Sequence, residues 1–570
     1  MKIVIKKCIN IFFLIFLSNS LWGAATISQG NWTSCVPQSN GTLLVAGNAL
    51  SNNLSQCIVA RYTAAGILDT TFNTTGLATT SIGTMANALG LVVQSNGKVV
   101  VVGNGFINGT TQIILIRYNT DGSLDSTFGT NGIVTTSLGA GASGNAIVLD
   151  AQGNIIIAGS VTGNSVPQFF AARYSATDGT LDTTFNPNGS TPGVATVGIG
   201  YRAKVNAIAL QPADGKIVLA GWASYGNGDV FAVARFNTDG SLDTTFNPSG
   251  AQPGIITNQI GAICHANGVV IQSDESILIV GNADAALFMA SFTSAGEMDS
   301  SFGTGGLVYT TSIGLKSQGA NGVTLDANNN IVITGFADNQ LLLARYTSTG
   351  ALDTTFNSTG YATISYGDMN AGLAVQSLST GNLVAVGYAD LDFLLVEFTD
   401  TGSIYQSFGI NGVVTQPQVT GVSTTEIYEQ QTVGTNGGTF TAGVWQTRTL
   451  NTIDDGLGVT LANNQFTLQP GTYSVQVSAP GYQVGGHQIR LQNISTGTTA
   501  LTGTSAFSSN AGGSQTNSVI IGKIPVGQTS VFEVQHMCTL TQNNDGLGIA
   551  SGFGQYEVYT AVRIDAALTT

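Results

Sequence analysis

Five arginines recur at a nearly constant distance from five aspartates: Arg61 and Asp69, Arg117 and Asp125, Arg173 and Asp182, Arg235 and Asp243, Arg345 and Asp353. Each arginine precedes an aromatic residue, and each aspartate follows eight or nine positions later. A guanidinium facing a carboxylate forms a short, charge-assisted bridge. The expected chemistry is a repeated clamp that pins a turn onto its sheet. In the alternative, each aspartate caps its own turn and the arginine is merely solvated.

Other reactive side chains fall into no catalytic set, and no catalytic residue is expected. His265, His487 and His536 stand in no metal-ligand spacing. Cys264 and His265 are adjacent, and neighbours on a strand point to opposite faces. No Gly-x-Ser-x-Gly elbow lies between a strand and a helix, and the glycine-rich stretches precede no helix. Asp454, Asp455 and Asp545 sit in two near copies, Asp454-Asp-Gly-Leu-Gly458 and Asn544-Asp-Gly-Leu-Gly548. Such loops can offer oxygens to calcium, but they lack the full EF-hand spacing and turn chemistry explains them equally. Trp222 and Tyr225 are read in a polar loop where a sugar could stack, against ordinary loop packing. No cofactor is expected.

The elements that carry these residues repeat seven times. The pentad Leu68-Asp-Thr-Thr-Phe72 returns in variant form from Leu124, Leu181, Leu242, Met298, Leu352 and Ile404, at spacings of 56, 57, 61, 56, 54 and 52 residues. A period of this size marks stacked or radially arranged units. In the second unit, short apolar strands are read at 90–94, 99–103, 112–118 and 133–137. Asn96-Gly97 and Asp121-Gly122 supply turns between them. The second strand is expected to end on a recurring glycine, Gly47, Gly103, Gly159, Gly221, Gly281, Gly335 and Gly387, which marks a turn or a close backbone approach. Its continuous apolar run implies cover on both faces. Four-stranded units of similar size without caps fit a closed ring, which removes exposed sheet edges. The fold class is therefore all-β, a seven-bladed β-propeller over 25–416. An open β-solenoid is the alternative. Ala25–Ser28 reads as an extra strand fragment that would close the ring.

These units resemble the delta-60 repeat of bacterial secreted and surface β-propellers. The resemblance is carried by Gly122-Ser-Leu-Asp125-Ser-Thr-Phe128, Ala60-Arg-Tyr62 and Asn96-Gly-Lys98, recurring in register. The last unit departs most, with Glu397 in place of arginine and Tyr405 in place of aspartate. The resemblance implies a propeller and carries over no catalytic residue.

After Gln416 the period stops. A linker is read at 417–424 and a second all-β domain at 425–567, a β-sandwich of the jelly-roll kind. Its strands are expected at 439–450 with Trp445, 464–473, 487–493, 518–524, 530–536 and 557–564. The stretch ending Tyr473-Ser-Val-Gln-Val477 and the strand Val558-Tyr-Thr-Ala-Val562 resemble the trimeric jelly rolls of the tumour-necrosis-factor and complement-globular-head type. That resemblance allows a homotrimer and a binding head.

The N-terminus reads as a secretory signal over 1–24: a basic start, an apolar stretch too short for a mature span, then small residues. The chain carries a net charge of −14, or −17 without Lys2, Lys6 and Lys7. That balance argues against nucleic acid and anionic membranes as partners. Export permits a disulfide between Cys35 and Cys57, with two buried free thiols as the alternative. Taken together, the sequence predicts an exported, non-catalytic interaction protein with a protein or glycan partner and no membrane insertion after cleavage. A lectin-like protein and an exported carbohydrate-active enzyme are the alternatives.

Overall fold

The computed structural model describes residues 29–566, apart from 52–53, 164–165, 315, 367, 391, 410–411, 416–423, 433, 456, 510–514 and 549–555. The signal segment, Ala25–Ser28 and most of the linker lie outside the described residues. The chain divides into two compact units, Met1–Pro417 and Gln418–Thr570.

The first unit is all-β and consists of repeated four-stranded antiparallel sheets. The second sheet comprises Met85–Val93, Val99–Ile107, Thr110–Tyr118 and Ile133–Thr136 in that order. Its middle strands are rich in valine and isoleucine, which suit a pleated surface buried on both sides. Their side chains alternate between two cores. Val99, Val101, Ile114 and Ile116 pack with Leu44, Val59 and Phe72 of the first sheet. Val100, Val102, Ile113 and Leu115 pack with Ile155, Ile157 and Phe170 of the third. A one-residue slip of register would exchange these two sets.

Of the two roles expected for the recurring glycines, a turn or a close backbone approach, the second holds. The second strand runs past the glycine in every unit, as in Val99–Ile107 and Leu383–Ala389. The second and third strands of this sheet are joined by a turn at Asn108 and Gly109, both with positive φ. Each glycine instead faces a bulge in the first strand, such as the register shift between Ala88 and Gly90 opposite Gly103. A Cβ on Gly103 would lie 1.7 Å from the Asn87 carbonyl oxygen, and one on Gly221 2.0 Å from that of Lys204. The glycine therefore provides close backbone approach inside the strand.

Residues in the bulges tie sheet to sheet. Asn145 Nδ2 donates to the Val205 carbonyl at 2.6 Å, Asn206 Nδ2 to Ala266 at 2.9 Å, Asn267 Nδ2 to Ala320 at 2.9 Å and Asn321 Nδ2 to Gly372 at 2.9 Å. A second series runs from the residue after each pentad to a turn of the following sheet. Its members include Asn73 N to Asp121 O at 2.5 Å, Gly129 N to Asp178 O at 2.8 Å and Asn357 N to Thr401 O at 2.7 Å. The corresponding amide of the last sheet, Gly409 N, donates to Ala65 O of the first sheet at 2.8 Å. The first strand of the first sheet, Gln29–Pro37, packs on Asn370–Ser377, Leu383–Ala389 and Asp392–Phe398 of the last. Trp32 is fully buried there, its ring centroid 4.4 Å from that of Phe393. The last sheet takes its fourth strand, Val413–Thr415, from its own repeat.

The second unit has two antiparallel sheets. One runs in the order Thr452–Asp455, Thr424–Thr432, Tyr556–Ala566, Gly471–Tyr482, Gln515–Val526. The other runs Thr460–Ala462, Gln465–Leu468, Ser530–Cys538, Gly485–Asn493, Thr498–Ser508. Ile427, Val475, Val477 and Ile564 of the first meet Phe466, Ile489, Leu491 and Val534 of the second in one core. The strand expected at 439–450 is reduced to Gln446–Thr447. Trp445 precedes it and carries the Arg490 guanidinium over its ring at 4.3 Å. Among the described residues no helix is long and apolar enough to cross a membrane.

Candidate functional site

The five arginine–aspartate pairs are made, and both alternatives of the sequence reading occur together on different oxygens. The arginine Nε donates to aspartate Oδ2 at 2.7 Å in Arg61–Asp69, Arg173–Asp182, Arg235–Asp243 and Arg345–Asp353, and at 2.6 Å in Arg117–Asp125. The other oxygen, Oδ1, accepts from the backbone N–H and hydroxyl of the threonine two residues on, as Asp125 does from Thr127. The guanidinium also lies over the pentad phenylalanine, 4.3 Å from the ring centroid in Arg117–Phe128. Its remaining N–H groups reach the next sheet: Arg117 donates to Ala176 O and Thr177 O, Arg61 to Thr120 O, and Arg345 to Asp400 O. The clamp thus joins two sheets as well as one turn.

The clamp departs in the fifth and seventh repeats. Ser291 Oγ stands 3.4 Å from Asp299 Oδ2. In the seventh repeat, burial raises the Glu397 carboxyl above its usual value, opposed by a 2.7 Å hydrogen bond from Asn382 Nδ2.

Burial alone would raise the five aspartates, but their hydrogen bonds outweigh it. Lys98, Thr127 and Arg117 hold Asp125 far below the ordinary aspartate value. Asp69, Asp182, Asp243 and Asp353 are lowered in the same way. A carboxylate whose folded pKa is depressed contributes stability that is complete above its unfolded pKa and is lost as pH falls toward the folded one. The melting temperature should therefore fall on acidification from about pH 4 downward. Calorimetry across that range checks this, and a melting point unchanged to about pH 2 would contradict it.

Cys35 and Cys57 are buried free thiols, and the disulfide alternative is corrected. They lie on strands that flank a third, Leu43–Ser51, with Cys35 opposite Val45 and Cys57 opposite Asn48. Two strand spacings alone hold their Cα atoms at least about 9–10 Å apart, and the three-residue offset between Val45 and Asn48 adds to this, beyond disulfide reach. Burial pushes both thiols up to about 12. Cys264 is also free and buried, and His265 points elsewhere, its Nε2 2.9 Å from Asp229 Oδ2.

The structure does bring His487 and His536 together in the second unit, Nδ1 to Nε2 at 2.9 Å. Desolvation and the nearby Arg448 charge lower them to about 4 and about 2. The sequence offered no signal for this pair because its strands are paired from distant segments. The side chains of Asp454 and Asp455 lie outside the described residues. Asp545 Oδ1 accepts from Gln542 Nε2 at 3.2 Å. Among the described residues no group of three or more histidine, cysteine, aspartate or glutamate side chains is arranged to hold a metal ion.

Trp222 is not in a loop, as the sequence suggested, but on the strand Ile217–Ser224 of the fourth sheet. It pairs with Lys204 on one side and Phe231 on the other. Its ring stacks on His265 of the fifth sheet at 4.7 Å, and the Arg202 guanidinium lies 5.2 Å from its centroid. Arg202, Ser224 and Asp229 form the next row of the same face. Tyr225 is exposed in the following loop, and Tyr201 more so, at 71%. Tyr201 reaches that loop, since a Cβ on Gly226 would lie 3.3 Å from its ring. Towards the other end of the first strands, a cavity of about 370 Å³ is lined by Val36, Val92, Val93, Val148, Leu149 and Leu210.

The residue following the recurring glycine varies among the repeats. Asn48 and Asn104 reach the next sheet, Asn48 Oδ1 accepting from Ala88 N and Asn104 Nδ2 donating to Ser143 Oγ, whereas Phe336 and Tyr388 stand there in the sixth and seventh repeats. Among the described residues, only the edge between the fourth and fifth sheets combines an aromatic ring with two cations and a histidine.

Segments 38–72, 94–128, 153–185, 213–246 and 327–356 match the family described as "Domain of unknown function (DUF5122) beta-propeller". No match was found among curated proteins. Among solved structures the chain is similar to Sqt1 from Chaetomium thermophilum, at 10% identity and a TM-score of 0.37, covering 68% of this chain and 86% of that one. It is also similar to a protein from Lactobacillus plantarum, at 15% identity and a TM-score of 0.40, covering 63% and 93%. The five matched repeats are of the DUF5122 type and support a β-propeller protein.

Proposed function

We propose that this chain is an exported, non-catalytic interaction protein, a closed seven-bladed propeller serving as a rigid platform, followed in sequence by a jelly-roll head. The observation that carries the reading is the use made of the recurring acids. Both oxygens of each clamp aspartate are engaged by the protein itself, so these carboxylates are spent on rigidity rather than offered to a substrate. Closure is supported by the hydrogen bond from Gly409 to Ala65 and by the Trp32–Phe393 contact. The strand order of the second unit supports a jelly roll, whose resemblance class allows trimer formation through that domain. Protein or glycan partners fit a platform of this kind, and export agrees with the basic and apolar N-terminal residues.

The test is turnover. The full chain, incubated with neutral and acidic polysaccharides, should release no reducing ends above the blank. Sustained release that depends on enzyme concentration would contradict the non-catalytic reading.

A further inference from the structure

The edge between the fourth and fifth sheets carries chemistry that its equivalents lack. Arg202 and Lys204 are two residues apart on one strand, so both side chains leave the same face. That face is the one turned toward the fifth sheet, because Val218, Ala220 and Phe231 pack there with Cys264 and Ala266. The opposite face, with Ala203, Val205 and Ala223, packs on the third sheet. Both cations are exposed. Arg202 rests over Trp222, and among the described residues neither cation takes part in a salt bridge.

The nearby acids are already engaged. Asp229 Oδ2 accepts a hydrogen bond from His265 Nε2 at 2.9 Å. Asp284 accepts the backbone N–H groups of Ala262 and Ile263. Desolvation by the surrounding protein lowers the Lys204 ammonium below its ordinary value although water reaches it. Trp222 has one face stacked on His265, so it is less a sugar platform than a support that orients Arg202. Tyr201 and Tyr225 are the exposed rings beside the cations.

We propose that this edge binds an acidic sugar: Arg202 and Lys204 take its carboxylate, and Tyr201 and Tyr225 flank its ring. Two unpaired cations in a chain of net charge −14 are an exception to the surface around them. Nothing in the repeat requires them, since Asn31, Asn87 and Ser143 at the Lys204 position, and Gln29 and Met85 at the Arg202 position, build the same sheets. A guanidinium and an ammonium on one strand face suit a carboxylate such as that of a uronate, and phenol rings pack on the apolar face of a pyranose. The assignment rests on the reading of the chain as a binding protein.

The test is calorimetric titration of the full chain with a galacturonic acid tetramer, its methyl ester and inorganic phosphate. The acid should bind, the ester at least about tenfold more weakly, and rising salt should weaken the acid alone. The double variant Arg202→Gln, Lys204→Gln should lose about tenfold for the acid with its melting temperature unchanged. Tyr201→Ala with Tyr225→Ala should weaken the tetramer and leave phosphate unaffected. Equal binding of acid and ester, or full affinity in the cation variant, would overturn the proposal. Phosphate binding as tightly as the tetramer would overturn the sugar assignment. These outcomes are read from binding isotherms, whereas failure of the non-catalytic reading is read from released reducing ends.

Discussion

Asp125→Ala should cost about 3–5 kcal/mol of unfolding free energy. Asp125 and Arg117 have side chains only 3% exposed, and Lys98 Nζ adds a third contact at 2.8 Å. Removing the carboxylate leaves the Arg117 guanidinium buried without its counter-charge. It also frees the Thr127 N–H and hydroxyl from their acceptor. Arg117→Ala should cost a comparable amount, because it also breaks the donors to Ala176 and Thr177 in the next sheet. The double variant should then lose less than the two single losses combined, by about 1 kcal/mol or more. Urea denaturation of the four proteins measures the coupling, and strictly additive losses would reject the clamp. The same cycle at Arg61 and Asp69, with side chains 14% and 17% exposed, should give a smaller coupling.

Gly103→Ala is the second large effect, expected at about 3 kcal/mol. Its added Cβ would stand 1.7 Å from the Asn87 carbonyl oxygen and 3.2 Å from the Ala88 Cα. Backbone occupies that space, and backbone inside a bulged strand cannot swing aside as a flexible side chain would. Gly109→Ala makes the control. Its Cβ would meet nothing within 4 Å, so only the strain of its positive φ of 82° remains. Thermal unfolding should place Gly103→Ala well below Gly109→Ala. Equal melting temperatures would show that the recurring glycine answers to turn conformation and not to close approach, the other role the sequence allowed.

The repeat was legible because identical demands recur at each unit. The pentad, its arginine and the glycine all carry out sheet-level tasks, so periodicity exposed them. Strand existence was legible from β-branched runs, but strand ends were not. A glycine after four apolar residues reads locally as a stop, whereas its cause is a carbonyl bulged out of the neighbouring strand. Asn145, Asn206, Asn267 and Asn321 went unnoticed although they stand 14 or 15 residues before the glycine. That spacing was the available signal. Trp222 was found as an exception to the repeat but placed in a loop. The residues that give it meaning, Arg202 and His265, lie on other strands and are joined to it only by register. In the second unit, the His487–His536 contact likewise needs the pairing of Gly485–Asn493 with Ser530–Cys538.

The central claim is that the last sheet of the first unit seals against the first. Hydrogen exchange read by mass spectrometry tests it most directly, by comparing Leu43–Ser51 and Leu383–Ala389 with Ile217–Ser224 of the middle sheet. A sealed ring predicts the same slow exchange in all three strands, with the Gly409 amide protected by its bond to Ala65. Exchange much faster in the two outer sheets than in the middle one would show a row with free ends and contradict the account.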